Sequence, residues 1–189
     1  MKRLFFVSIC SLSLLLGAAA AHAQANHASG GIGFHSSGAP LGVRWWLAGQ
    51  KVGLDAGLGF SSRPSAISPD DKETGFAFDV GVPFVMKSWE GVHLLFRPGL
   101  VYTSQQIGFD SDGATPGIQF DTQTETTLGI SAELEAEVFL RDNFSVSASS
   151  GVLFSSFNPA GPGDSITNLT TIGNNFTEVG FHLYFLGEK

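Results

Sequence analysis

Residues 128–140, Leu-Gly-Ile-Ser-Ala-Glu-Leu-Glu-Ala-Glu-Val-Phe-Leu, decide the fold. Leu128, Ile130, Ala132, Leu134, Ala136, Val138 and Leu140 take every second position, and Glu133, Glu135 and Glu137 fall between them. A period of two sends the apolar row to one face of a β-strand and the acids to the other. Three carboxylates are costly in a dry sandwich core, whereas a closed barrel with a polar interior and a lipid-facing exterior takes them inside. The expectation is an all-β fold, a closed antiparallel eight-stranded up-and-down transmembrane barrel.

The same alternation recurs along the chain and predicts strands near 30–36, 40–48, 52–62, 75–86, 92–103, 126–140, 144–156 and 175–186. After a short first connection, the links alternate between turns near 49–51, 87–91 and 141–143 and long segments near 63–74, 104–125 and 157–174. Short periplasmic turns and long outer loops are the pattern of a bacterial barrel with both termini in the periplasm. The long segments are rich in Gly, Pro, Ser, Thr and Asp, and are expected to be exposed and without a core of their own. The first strand carries only Ile32 and Phe34 as an apolar row, which leaves its length open.

Parity tests the barrel reading. One face collects Leu41, Val43 and Trp45, then Leu54, Leu58 and Phe60, then Phe76, Phe78 and Val80, and so on to Val179, Phe181, Leu183 and Phe185, with no charge among them. The other face collects Arg44, Asp55, Asp79, His93, Arg97, Glu133, Glu135, Glu137, Glu178 and His182. An Arg or Lys on the lipid side at mid-depth costs ~2–4 kcal/mol, so an inserted barrel needs this segregation. Trp45, Trp89, Tyr102, Phe144 and Phe185 fall near strand ends, where amphipathic rings favour interfaces.

The N-terminus points to the same compartment. Lys2 and Arg3 precede an apolar stretch from Leu4 to Leu16, and small residues lead to Ala21-His22-Ala23, the layout of a cleaved secretory signal. The domain reading is a signal peptide at 1–23 and one barrel domain at 24–189. Cys10, the single cysteine, leaves with the signal, so the mature chain has no disulfide and no thiolate for a metal. Loss of Lys2 and Arg3 moves the formal charge from −7 to −9, a balance that argues against nucleic acid as a partner.

The last predicted strand, Glu178-Val179-Gly180-Phe181-His182-Leu183-Tyr184-Phe185, resembles the C-terminal assembly signal of outer-membrane barrels. Glu178 would be its polar slot, with Gly180, Leu183 and Phe185 as the glycine and apolar positions; here the polar slot is acidic and four residues follow the phenylalanine. With this strand, the signal and the strand pattern together, residues 30–186 resemble the OmpA-like and OmpX-like superfamily of small eight-stranded barrels. The resemblance implies an outer-membrane location and recognition by the barrel-assembly machinery. It implies no particular ligand.

The inward polar set of Arg44, Asp55, Asp79, Arg97, Glu133, Glu135, Glu137 and Glu178 is the candidate functional constellation. An eight-stranded barrel is just wide enough for side chains to fill, so the first reading is a charge network that plugs the lumen. A Gly49-Gln50 turn would set Arg44 opposite Asp55, and the 87–91 turn would bring Arg97 within a diagonal step of Asp79. The 141–143 turn would set Glu133, Glu135 and Glu137 against Gly151, Ser149 and Ser147. The alternative is a narrow, gated, cation-selective path.

A second alternative is chemical. His35 and Ser37, two apart, loosely resemble the histidine and serine of lipid A deacylases, with Glu178 as an orienting acid. The plainer reading is two polar residues ending a strand. Asp110-Ser111-Asp112-Gly113 resembles the start of a calcium loop but lacks its later ligands. The reading that remains is a non-enzymatic monomer without a cofactor. Its expected partners are outer-membrane lipid and lipopolysaccharide, the assembly machinery, and an extracellular partner met by the loops. A soluble lipocalin-type barrel would need the faces reversed.

Overall fold

A computed structural model describes residues 29–36, 38–47, 50–65, 72–110, 120–161, 163–171 and 177–186. The expected signal segment, Ser37, Gly49 and residues 111–113 lie outside them. Ten strand segments follow in chain order: β1 Gly30–Phe34, β2 Leu41–Trp46, β3 Gly53–Pro64, β4 Lys72–Gly81, β5 Phe84–Trp89, β6 Val92–Asp110, β7 Phe120–Arg141, β8 Phe144–Asn158, β9 Ile166–Thr170 and β10 Thr177–Leu186. They make eight barrel strands, because β4 and β5 both pair with β6, and β9 and β10 both pair with β8. β10 also pairs with β1, so the antiparallel barrel closes on itself.

The interruption between β4 and β5 has a local cause. Pro83 has no N–H to give a ladder. Its carbonyl instead accepts the Gly53 N–H at 2.8 Å, while Val82 N–H reaches the Pro98 carbonyl at 3.0 Å. A register shift between Val85 and Lys87 then carries Met86 as an extra residue. The turns use the expected chemistry: Gly91 has φ 70° beside Glu90, and Gln50 has φ 50°.

Burial follows the parity of the sequence. On β7, Ile130 and Leu134 are 62% and 54% exposed, while Glu133, Glu135 and Glu137 are 5%, 3% and 0% exposed. Exposed and buried positions likewise alternate strictly along β2. Val138 shares the outward row but is covered, with Val92 and Val146 as its partners on the flanking strands.

Strand height is the main departure from expectation. β6 and β7 pair without a break from Val92 opposite Val138 to Asp110 opposite Phe120, so much of the stretch expected to be a loop at 104–125 is a two-stranded ribbon. Thr122, Thr124 and Thr126 face Gly108, Gln106 and Ser104. β-branched threonine favours strands, and the ladder satisfies the backbone without any apolar core. The expected loop at 63–74 similarly shrinks as β3 runs to Pro64 and β4 starts at Lys72, and β9 lies inside the expected loop at 157–174. At ~3.4 Å per residue β7 is about 75 Å long and β1 about 17 Å. The rim is therefore tall on one side and low at β1–β2.

Candidate functional site

The inward row is layered from the turn end of the barrel to the loop end. Nearest the turns, Trp46 of β2, Leu95 of β6, Phe139 of β7 and Tyr184 of β10 meet across the axis as a buried apolar cluster. His93 lies edge-on to Phe139, with ring centroids 5.2 Å apart. Parity aims all five inward; His93 belongs to the expected inward face, while the apolar character of Trp46, Leu95, Phe139 and Tyr184 kept them out of the expected polar set.

The cluster is tied to the layer above it by its polar handles. Trp46 Nε1 donates to the Tyr184 hydroxyl at 3.2 Å, and that hydroxyl donates to Glu137 Oε1 at 2.7 Å. Ser145 donates to the same oxygen at 2.6 Å. Tyr and Trp bury their rings cheaply only when these groups find partners, so the apolar floor and the ionic layer are one structure.

Two guanidiniums organise the ionic layer. Arg44 stands opposite Asp55 in the β2–β3 register and donates to it at 2.8 Å, while Nη1 and Nη2 hold Glu135 in a fork at 2.8 and 2.9 Å. Glu137 Oε2 lies 3.6 Å from Nη1. Arg97 donates through Nε to Asp55 at 3.0 Å, through Nη1 to Glu133 at 2.7 Å, and through Nη2 to Asp79. Asp55 thus bridges both arginines. The planar five-donor fork suits such shared coordination, which an ammonium group cannot reproduce.

Register explains the rest of the arrangement and corrects one contact. Glu133, Glu135 and Glu137 face Gly151, Ser149 and Ser147 across β7–β8. The small partners leave room, and Ser131 and Ser149 donate to Glu133 at 3.1 and 2.9 Å. Asp79, expected one diagonal step from Arg97, is paired directly with Val101, four residues from Arg97. The reach of the arginine makes the contact instead. Gly81 is what permits it, because a Cβ there would run into the Arg97 guanidinium.

The turn between β1 and β2 folds inward, a feature the sequence analysis missed. His35, Ser36 and Ala39 are buried, with the Ser36 N–H on the Ala39 carbonyl and the Ala39 N–H on the Ser36 hydroxyl. Gly42, Gly57 and Gly59 clear its seat: a Cβ on Gly57 would lie 2.6 Å from His35 Cδ2, and one on Gly59 would meet the Gly38 carbonyl. Gly42, Gly57 and Gly59 at alternate inward positions were the available signal.

His35 therefore joins the ionic layer. Its Nε2 lies 2.9 Å from Arg97 Nη2 and 3.5 Å from Asp79 Oδ1. A guanidinium has no acceptor, so Nε2 takes the hydrogen bond from Arg97. The acid against this histidine is Asp79, not the expected Glu178. Glu178 is half-buried and lines the same cavity, opposite Ser149. His182, two inward positions nearer the turn end of β10, is buried, and neither ring nitrogen has a hydrogen-bond partner among the described residues. The space left at this level is about 10 Å³, room for roughly one water.

Gly180 faces Ser147, Leu183 faces Phe144 and Ile32, and Phe185 is exposed on the outer surface. The three thus lie on the strand that seals the barrel. Among the described residues no cluster of His, Cys, Asp and Glu is arranged to hold a metal ion. Comparisons with protein-family models, curated proteins and solved structures return no match.

Proposed function

We propose that this chain is a monomeric outer-membrane β-barrel that catalyses no reaction, with a rigid plugged stave ring inserted in lipid and its loop end at the cell surface. One observation carries the reading: around the closed barrel, the outward positions between the turns and the rim are apolar apart from Ser150 and uncharged apart from Lys87 near the 90–91 turn, while the arginines and their carboxylates sit in the lumen. A soluble barrel of this size would leave Leu41, Phe60, Ile130 and Val179 facing water, each more than 60% exposed. Lipid is the solvent that such a belt matches.

Two arginines locked between carboxylates, above an apolar floor, support a plug over an open path. The rim supplies the function: the tall β6–β7 ribbon and neighbouring loops contact extracellular partners or lipopolysaccharide, and the barrel holds them in place. The closing strand carrying Gly180, Leu183 and Phe185 is what the assembly machinery reads.

Membrane fractionation with surface proteolysis tests compartment and topology together. The chain is expected in the detergent-extracted outer-membrane fraction, migrating differently before and after heating, with cuts confined to the loop end. Extraction into buffer without detergent would overturn the proposal. Planar bilayers should show no steady conductance. Replacing the three long loops with short turns should spare folding and abolish binding or envelope phenotypes. The outward substitution Leu134→Arg should destabilise the inserted barrel by about 2–4 kcal/mol in vesicle unfolding titrations.

A further inference from the structure

Above the ionic layer the inward side chains become small, and the lumen opens into a cavity of about 490 Å³. Ala77, Val101 and Leu153 supply apolar wall, Thr103 and Asn168 supply polar wall, and Asp79, Glu133 and Glu178 lie at its floor. This volume is in the ordinary range for small-molecule sites, ~300–1,000 Å³.

The cavity does not end at the barrel wall. The last β2–β3 pair is Leu41 with Leu58, yet β3 continues to Pro64 with β4 as its partner. From Gly59 upward the β2 side of β3 is thus a notch, partly filled by the inward turn at Gly38 and Pro40. A second cavity of about 340 Å³ occupies it, shares Gly38, Ala77 and Thr103 with the first, and reaches Phe60 and Phe76 on the outer face. Phe60 is 76% exposed. The path from lumen to outer surface is lateral, and its outer end belongs to the apolar belt.

Charge sets the chemistry of the inner end. Among the described residues the lumen layer holds six carboxyls, Asp55, Asp79, Glu133, Glu135, Glu137 and Glu178, against two guanidiniums. The arginines engage the first five, and no ion pair reaches Glu178. An acid without a cation, at the floor of a partly apolar cavity, favours a ligand that brings a positive charge.

We propose that the notch and cavity form a binding site for a single-chain cationic amphiphile, its ammonium head against Glu178 and its alkyl chain leaving the barrel over Phe60 and Phe76. The proposal rests on the membrane reading for the source of the ligand, since the entrance opens into the belt assigned to lipid. The small Gly38, Ala77 and Thr103 form the neck through which one chain passes.

The test uses the full chain refolded into phosphatidylcholine nanodiscs, with heat-modifiable migration read before any amphiphile is added. Labelled dodecyltrimethylammonium and labelled dodecanoate, of equal chain length and opposite charge, are titrated in parallel. Saturable one-to-one retention of the cation, at least tenfold stronger than the carboxylate, is expected. Glu178→Gln should erase that preference, and Ala77→Trp, which fills the neck, should weaken both ligands. Equal retention of the two amphiphiles, non-saturable uptake, or an undiminished preference in folded Glu178→Gln would overturn the proposal. The wild-type comparison decides the matter even if a variant fails to fold. A chain that never inserts would overturn the membrane reading and this proposal together, whereas insertion with equal retention overturns only this one.

Discussion

The two halves of the lumen are built on the same inward rows of the same strands, yet one is solid and the other hollow. At the turn end, Arg44 and Trp46, Arg97 and Leu95, Glu137 and Phe139, and His182 and Tyr184 occupy successive inward positions and leave room for about one water. At the loop end, the shorter Ala77, Val101, Thr103, Thr127, Leu153 and Ser155 occupy the inward positions, and about 490 Å³ stays open. Strand pairing fixes the diameter, so side-chain size alone determines which half is plugged. The solid half sets stability and the hollow half is free to hold a ligand.

The largest effect should come from the ionic layer. Arg97→Met leaves Asp55, Asp79 and Glu133 facing one another without their shared cation, and removing one partner of a buried ionic network costs about 3–5 kcal/mol. Urea unfolding in lipid vesicles measures this loss. A variant as stable as wild type would break the distinction between the halves.

Tyr184→Phe probes the tie between floor and charge layer. It removes the hydroxyl that accepts from Trp46 and donates to Glu137, and should cost about 1–3 kcal/mol on the same titration. In the hollow half, Thr103→Val should change stability by no more than about 0.5 kcal/mol, because it borders open space. A loss there comparable to that of Tyr184→Phe would show the cavity to be a packed core.

The rim offers a subtler contrast. Beyond the Phe60–Phe76 pair, Glu73 accepts from the Gly108 N–H at 3.2 Å, from Arg63 at 2.9 Å and from Ser65 at 3.3 Å. The Gly108 amide, then the Arg63 guanidinium, hold its carboxyl below the usual carboxylate range. A depressed folded value makes the contribution complete above the unfolded carboxylate range, and it disappears as pH falls through the folded value. The protection factor of the Gly108 amide, its exchange rate relative to an unstructured amide at the same pH, should therefore fall on acidification below about pH 4, while amides of the β7–β8 ladder near Glu135 stay protected. Equal acid sensitivity at both places would erase the contrast.

Much of the barrel was legible because period two is a strong signal over long rows. Glu133 to Glu137 fixed which face is inward, and the two-residue links fixed Arg44 against Asp55. What escaped had a physical cause in each instance. Trp46, Leu95, Phe139 and Tyr184 lie inward, but an apolar residue in a polar row reads as neutral, so the floor went unseen. Residues 104–110 and 120–126 have a loop-like composition, yet a two-stranded ladder needs no apolar face to satisfy its backbone. The inward tuck of His35 depends on glycines on other strands, a relation that no local window contains. Asp79 reaches Arg97 through the length of a side chain across a register that turn counting placed two residues away.

The sidedness of β7 is tested most directly by spin labels placed one at a time on residues 128–137 of the chain inserted in vesicles. Cys10 is the one native cysteine of the sequence, so with Cys10→Ala in the background each label would be unique. Even-numbered positions are expected to collide with oxygen dissolved in lipid, and odd-numbered positions to be shielded from it. Oxygen access at 133, 135 and 137, or the same access at every position, would contradict a barrel that turns its acids inward and its apolar row to the membrane.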